Sequence, residues 1–195
     1  RIWRSRSSTS SFPFIWWRKN WKNGSITLQV DRYYLEINSL KSLNQTDSPN
    51  QDLTLEKVNP PNIELNKFFY KNIGKNHRWV DRLTWDNLKW ISYLENKNVN
   101  TYTLKLNNDL VGYFETIQDL STKSIEIGYF GILDDYIGNK FGSYLLSEAI
   151  KICFQLKPQK VWVHTCSLDH KHALSNYLNR GLKIFKKETI NLQNS

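Results

Sequence analysis

A chain of 195 residues with 39% hydrophobic and 14% aromatic side chains can build one domain with a real core, which excludes a wholly disordered polypeptide. Its formal net charge of +9 is unevenly placed: residues 1–22 hold six basic side chains and no acid, so the rest of the chain carries a net charge of only +3. That near-neutral remainder offers little ground for nucleic acid as a partner, no apolar run reaches membrane-span length, and two cysteines are too few for a disulfide framework, so a reducing cytoplasm is the expected compartment.

Residues 1–25 mix arginine and serine with Trp3, Trp16, Trp17 and Trp21. A basic, tryptophan-rich stretch can stack on single-stranded nucleic acid or lie at a membrane surface. This one has no helical or alternating period, and the chain starts at Arg1 and holds no methionine. It reads as a poorly ordered or non-native extension ahead of a single domain over 26–195.

The opening strand is predicted over 26–37, rich in β-branched and aromatic residues, with a polar loop over 38–51 and a short strand over 52–58. Pro60-Pro61 calls for extended chain before a helix over 63–72. The connector 74–86 (GKNHRWVDRLTWD) is dense in side chains that both stack and hydrogen-bond, and it either packs Trp79 and Trp85 into the core or helps form a pocket. A helix over 87–97 follows, with Asp86 as N-cap and Leu88, Ile91 and Leu94 as its buried stripe. Strands over 101–106 and 110–117 flank Asn107-Asn108-Asp109, a hairpin signal.

The stretch 124–156 is the centre of the chain: a buried strand over 124–133, a glycine-bearing loop over 134–140, then an amphipathic helix. Leu145, Leu146, Ala149, Ile150, Cys153 and Leu156 recur at three- and four-residue spacing and share one predicted buried face. A strand that feeds a glycine loop and a helix start can cradle phosphate, because the first helical N–H groups lack intrahelical partners and the helix dipole adds positive charge. Gly138 and Gly142 would let the backbone approach such a ligand; the same glycines would serve a plain tight turn equally well. A strand over 160–166, a helix from an Asp169 cap to Asn179, a left-handed Gly181 and a strand over 182–190 complete the order. That order predicts a mixed sheet covered by helices.

The loop DDYIGNKFGSYLL and the segment DHKHALSNYLNRGL, in this strand order, resemble the GNAT N-acetyltransferase superfamily over about 52–189. The resemblance implies an α/β (α+β) fold with a mixed, mostly antiparallel central sheet and helices on both faces. It also implies acetyl-CoA as co-substrate. In that family a Q/R-x-x-G-x-G/A loop holds the pyrophosphate through backbone amides; here Ile137 stands at the Gln/Arg position, Lys140 at the first glycine and Gly142 at the second. The implied cofactor contacts are Phe130, Gly131 and Ile132 on the strand and Ile137, Gly138, Asn139, Lys140, Phe141, Gly142 and Ser143 in the loop and helix start. Ala173, Tyr177 and Gly181-Leu182 match the family's A-x-x-x-Y…G-F/L, so Tyr177 inherits the role of protonating the departing thiolate. The likeness of FYKNIG, RWVDRLTW, GYFE, EIGYFG and VWVHTCSLDH is to a bacterial subgroup of unassigned acceptor.

Acetyl transfer needs a proton acceptor. Glu126 lies in an apolar strand, where a carboxylate is costly unless paired or used, and ranks ahead of Glu115 on the neighbouring strand; each also reads as a carboxylate paired with Lys or Arg. Trp79, Asp81 and Arg82 are expected to line the acceptor pocket, with His164 as an alternative proton acceptor. His164, Cys166, His170 and His172 fit no common zinc spacing, so no metal is expected. The expected partner is a small-molecule or peptide amine, with no membrane, nucleic acid disfavoured, and a homodimer left open. Alternatives are a non-catalytic acyl-CoA sensor of the same fold and a nucleic-acid-associated protein working through 1–25.

Overall fold

Runs of β-branched and aromatic residues in the strand segments and three- and four-residue apolar spacing in the helical ones lead to eleven principal elements in the computed structural model, which describes residues 27–193. The extension expected at 1–25, with its nucleic-acid and membrane readings, lies outside the described residues. Val30–Ile190 forms one compact unit. The strands are β1 Thr27–Ile37, β2 Leu53–Lys57, β3 Val99–Leu106, β4 Asp109–Asp119, β5 Ser124–Ile132, β6 Lys160–Cys166 and β7 Lys183–Gln193. The helices are α1 Ile63–Gly74, α2 Asn87–Leu94, α3 Phe141–Gln155 and α4 Ala173–Asn179.

The strands form one seven-stranded sheet in the order β2-β3-β4-β5-β6-β1-β7. The β1–β6, β2–β3, β3–β4 and β4–β5 ladders are antiparallel, whereas β5 and β6, joined through α3, are parallel. The strand that opens the described chain thus lies between the last two. Helices cover both faces. α3 and α4 pack on one: Leu145, Leu146, Ala149 and Ile150 are fully buried against Leu35, Ile125, Ile127 and Val163. On the other, Phe69 and Ile73 of α1 pack on Tyr113, and Tyr70 joins Trp90 and Leu94 of α2.

Three local expectations are corrected. The buried residues of α2 are Trp90 and Leu94, whereas Leu88 is 77% exposed. The large indole takes the core side and turns Leu88 to solvent. Leu156 follows the last helical residue of α3 and is 51% exposed, because one residue beyond the helix the stripe no longer points inward. Asp169 does not cap α4; its Oδ2 accepts from Thr165 Oγ1 (2.6 Å) and the Cys166 amide (2.9 Å), a local turn that competes with capping. The Asp86 cap on Lys89 N is present at 2.8 Å, and Gly181 is left-handed at φ +96°.

Candidate active site

β5 sets the site. Its partners on β4 run from Asp119↔Ser124 to Gly112↔Ile132, with a register shift at Glu115/Thr116 that leaves Gly128 as an extra residue. This is a β-bulge, and it reverses the alternation: Ile125 and Ile127 face α3 before it, Phe130 and Ile132 after it. On its other edge β5 meets β6 over three pairs, the last being Glu126↔Trp162. Beyond Glu126 the two parallel strands part, while β6 continues to pair with β1 as far as Cys166↔Arg32. Phe130, Gly131 and Ile132 therefore keep β4 on one edge and have no β6 partner on the other.

The loop after β5 delivers the start of α3 to the same opening. Its φ angles are +94° at Gly138 and +63° at Lys140, and Lys140 is the N-cap residue, in the left-handed region that favours glycine. Lys140 thus departs from the family's glycine in type but adopts a glycine-like backbone. Gly142 is helical, and a Cβ there would sit in ordinary contact with Ile132 at 3.7 Å, so the loop's conformational freedom belongs to Gly138 and Lys140. The Ile137 amide donates to Asp134 O (3.2 Å) and the Ser143 amide to Lys140 O (3.2 Å). Between them, the amides of Gly138, Asn139, Lys140, Phe141 and Gly142 meet no protein acceptor among the described residues. The Phe141 side chain is buried; Ile137, at the Gln/Arg position, is 45% exposed. The Asn139 side chain donates to Tyr136 O, inside the loop.

Tyr177 lies on α4, 6% exposed, with its ring edge-on to Phe130 at 6.2 Å, which places it beside the freed edge of β5. Burial, then the nearby Asp169 carboxylate, raises its pKa well above the ordinary value and keeps the hydroxyl protonated. That hydroxyl has no hydrogen-bond partner among the described residues. Asn176, beside it, was not singled out from sequence. It accepts from Ser143 Oγ (3.1 Å) and donates to Gly142 O (3.2 Å), tying α4 to the first turn of α3; adjacency to Tyr177 was its only sequence signal.

On the opposite face, His164 Nδ1 lies 3.1 Å from Glu126 Oε1. The imidazole is 39% exposed and the carboxylate 18%, so the pair is reachable from solvent at the last β5–β6 rung. Tyr34 and Trp162 flank the ring with centroids at 5.9 and 6.3 Å.

Glu115 and Arg82, expected as a proton acceptor and a pocket contact, are bonded to each other. Glu115 is fully buried and Arg82 is 4% exposed. Arg82 Nη1 donates to both carboxylate oxygens (3.2 and 2.9 Å), Tyr93 OH to Oε2 (2.7 Å) and Asn66 Nδ2 to Oε1 (2.9 Å). Each carboxylate oxygen of Glu115 thus accepts two hydrogen bonds. Burial alone would pull the Arg82 pKa down, but Glu115 and neighbouring tyrosines outweigh it and the pKa is raised. Trp79 and Asp81 lie closer to the surface. Trp79 packs edge-on to Tyr129 (5.1 Å), and Asp81 accepts from Tyr70 OH (2.8 Å) and Tyr129 OH (2.6 Å).

His77, His170 and His172 approach one another, with centroids 6.3 and 5.3 Å apart. Among the described residues no group of three or more His, Cys, Asp or Glu is gathered in metal-binding geometry. Nor is any helix among them long and apolar enough to cross a membrane.

Comparison with known proteins gives a consistent assignment. Residues 62–182 match the family described as "Acetyltransferase (GNAT) family". A search of curated proteins finds no match. Among solved structures, a functionally unknown conserved protein from Staphylococcus epidermidis superposes with TM-score 0.57 at 20% identity, over 87% of this chain and 63% of that one. A GCN5-related N-acetyltransferase from Sphaerobacter thermophilus gives 0.61 at 13% identity, over 87% and 60%. An aminoglycoside acetyltransferase from an uncultured soil metagenomic sample gives 0.57 at 13% identity, over 68% and 90%. At these identities the likeness establishes the fold. The chain spans less than two thirds of the first two proteins' length.

Proposed function

The chain belongs to the Acetyltransferase (GNAT) family, and from that premise we propose that it transfers acetyl from acetyl-CoA to a primary amine of a small molecule or peptide, by direct attack in a ternary complex. The observation that carries the reading is the opening itself: a parallel strand pair that ends at Glu126/Trp162, beside a helix start whose amides lack protein acceptors. Unpaired N–H groups and the helix dipole suit a diphosphate, and the exposed Lys140 adds a full positive charge at the cap. The freed edge at Phe130, Gly131 and Ile132 offers backbone groups to the amides of an extended pantetheine arm.

The two faces then take different substrates. With the thioester held on the Tyr177 side, the amine comes from the Glu126–His164 side. The amine nitrogen attacks the carbonyl carbon, forming C–N as C–S breaks. The nitrogen's surplus proton passes to the Glu126–His164 pair, and the thiolate takes a proton from Tyr177. Holding both reactants in line replaces a bimolecular encounter and supplies much of the rate. Burial holds the Tyr177 hydroxyl in its protonated form, so it carries a proton when the thiolate appears.

Thermal denaturation with and without acetyl-CoA, followed by thiol release with a panel of amines, tests the reading. A ligand that binds only the native state raises the melting temperature, and an accepted amine releases free coenzyme A. A shift without thiol release supports the sensor alternative; the absence of both overturns the acetyl-CoA reading.

A further inference from the structure

We infer that Arg82 and Glu115 are a positioning pair that holds the Gly128 bulge of β5 and the 75–86 connector in the relation that keeps the β5–β6 opening in shape; the inference rests on the acetyl-transfer reading for its kinetic consequence.

Glu115 on β4 is the register partner of Tyr129, the residue after the bulged Gly128. The Arg82 guanidinium, bonded to Glu115, lies 3.9 Å from the Tyr129 ring centroid and 4.1 Å from that of Tyr93, so one planar cation touches the bulge, α2 and the connector at once. The connector returns the grip through its backbone and its neighbouring carboxylate: the Arg82 amide donates to the Tyr70 hydroxyl oxygen (3.0 Å), and Asp81 holds the Tyr129 hydroxyl at 2.6 Å. Farther along, the connector reaches the chain beyond both diverging strands. Asn76 donates to Asp134, just after β5, at 3.0 Å, and His77 Nδ1 lies 3.3 Å from Leu168 O, just after β6.

Burying two charges is costly, and a well-packed apolar pair is often as stable or more so, so the pair is not explained by stability alone. What an apolar pair cannot supply is direction. A guanidinium fixed by carboxylate bonds and stacked on rings sets both distance and angle between the elements it joins. The bulge begins two residues after the last β5–β6 rung, so an error there is transmitted to Phe130 and Gly131, where the acyl donor would lie. A misplacement of about 1 Å in such a site can lower the rate about 100-fold.

The test compares Glu115→Gln, Arg82→Lys and Tyr93→Phe with wild type, using amide hydrogen exchange of residues 127–132 in the free protein and pH profiles of thiol release. Faster exchange across 127–132 is expected in all three, smallest for Tyr93→Phe, which removes one bond and leaves the ion pair. Turnover should fall about 100-fold in Glu115→Gln while the acid limb of the profile keeps its wild-type midpoint. Arg82→Lys should not restore wild-type exchange, since an ammonium keeps the charge but lacks the stacking plane. Unchanged exchange in these variants, or loss of the acid limb in Glu115→Gln, overturns the inference. If Glu115→Gln does not fold, Tyr93→Phe and Arg82→Lys decide it. If the wild-type chain acetylates no amine, exchange in the free protein still does, so the two proposals can fail separately.

Discussion

His164 Nδ1 lies 3.1 Å from Glu126 Oε1 across the last rung that β5 and β6 share. Two side chains that could each take a proton thus meet where the strands begin to diverge, on the face away from Tyr177. Glu126→Gln removes the carboxylate while leaving the ring in place. The variant is expected to lose about 100-fold in kcat/KM at neutral pH and to recover part of it as pH rises and the amine sheds its own proton. A pH profile of thiol release reads this; an unchanged profile removes Glu126 from the reaction.

Tyr177 tests the other end of the transfer. Tyr177→Phe keeps the ring against Phe130 and removes only the hydroxyl proposed to protonate the thiolate. Turnover should fall about 100-fold with little change in acetyl-CoA affinity, measured by single-turnover kinetics and calorimetry.

Lys140 combines a left-handed backbone with a charge at a helix start. Lys140→Gly relieves the backbone and should raise stability by about 0.5–1 kcal/mol, while Lys140→Ala keeps the strain and should not. Both remove the ammonium and should raise the KM for acetyl-CoA. Denaturant unfolding and steady-state kinetics separate the backbone effect from the charge effect.

His170 makes stability depend on pH. Burial, then His172, His77 and Lys171, hold its pKa below 6.5, against a weaker opposing pull from Asp134. The unfolded chain therefore binds this proton more readily than the folded one. The contribution is fully present above the ordinary histidine value and is lost as pH falls through the window below it. Melting temperatures from about pH 7.5 to about 5.5 should decline, and His170→Asn should flatten the decline.

Tyr113 is fully buried, stacked on Phe69 at 4.8 Å, and its hydroxyl has no partner among the described residues. Tyr113→Phe is expected to leave stability unchanged or raise it by up to about 1 kcal/mol. A clear loss in denaturant unfolding would mean that the hydroxyl bonds to ordered water.

Much of the frame was legible because local periodicity decides it. The α3 stripe Leu145, Leu146, Ala149, Ile150 and Cys153 is buried as its spacing predicts. Leu88 was misread because spacing ranks positions without weighing Trp90, whose larger surface takes the core side. The departure of Lys140 from glycine was visible, but its compensating φ was not, since residue type does not disclose backbone angle. Least legible was the engagement of Glu115: its partner Arg82 lies 33 positions away, and no periodicity links a connector to a strand. Asp169 has the residue type of a cap, yet Thr165 and Cys166, just before it, compete for the same oxygens.

The seat of β1 between β6 and β7 carries a consequence for biosynthesis. Of the described strands β1 is made first, long before either neighbour exists, and it must wait with both hydrogen-bonding edges bare. A ribosome that stalls before residue 183 releases a nascent polypeptide with one of those edges still open, a template for joining other chains. The sheet closes only after β7 has been made, and chaperone dependence should track how long residues 183–193 take to arrive.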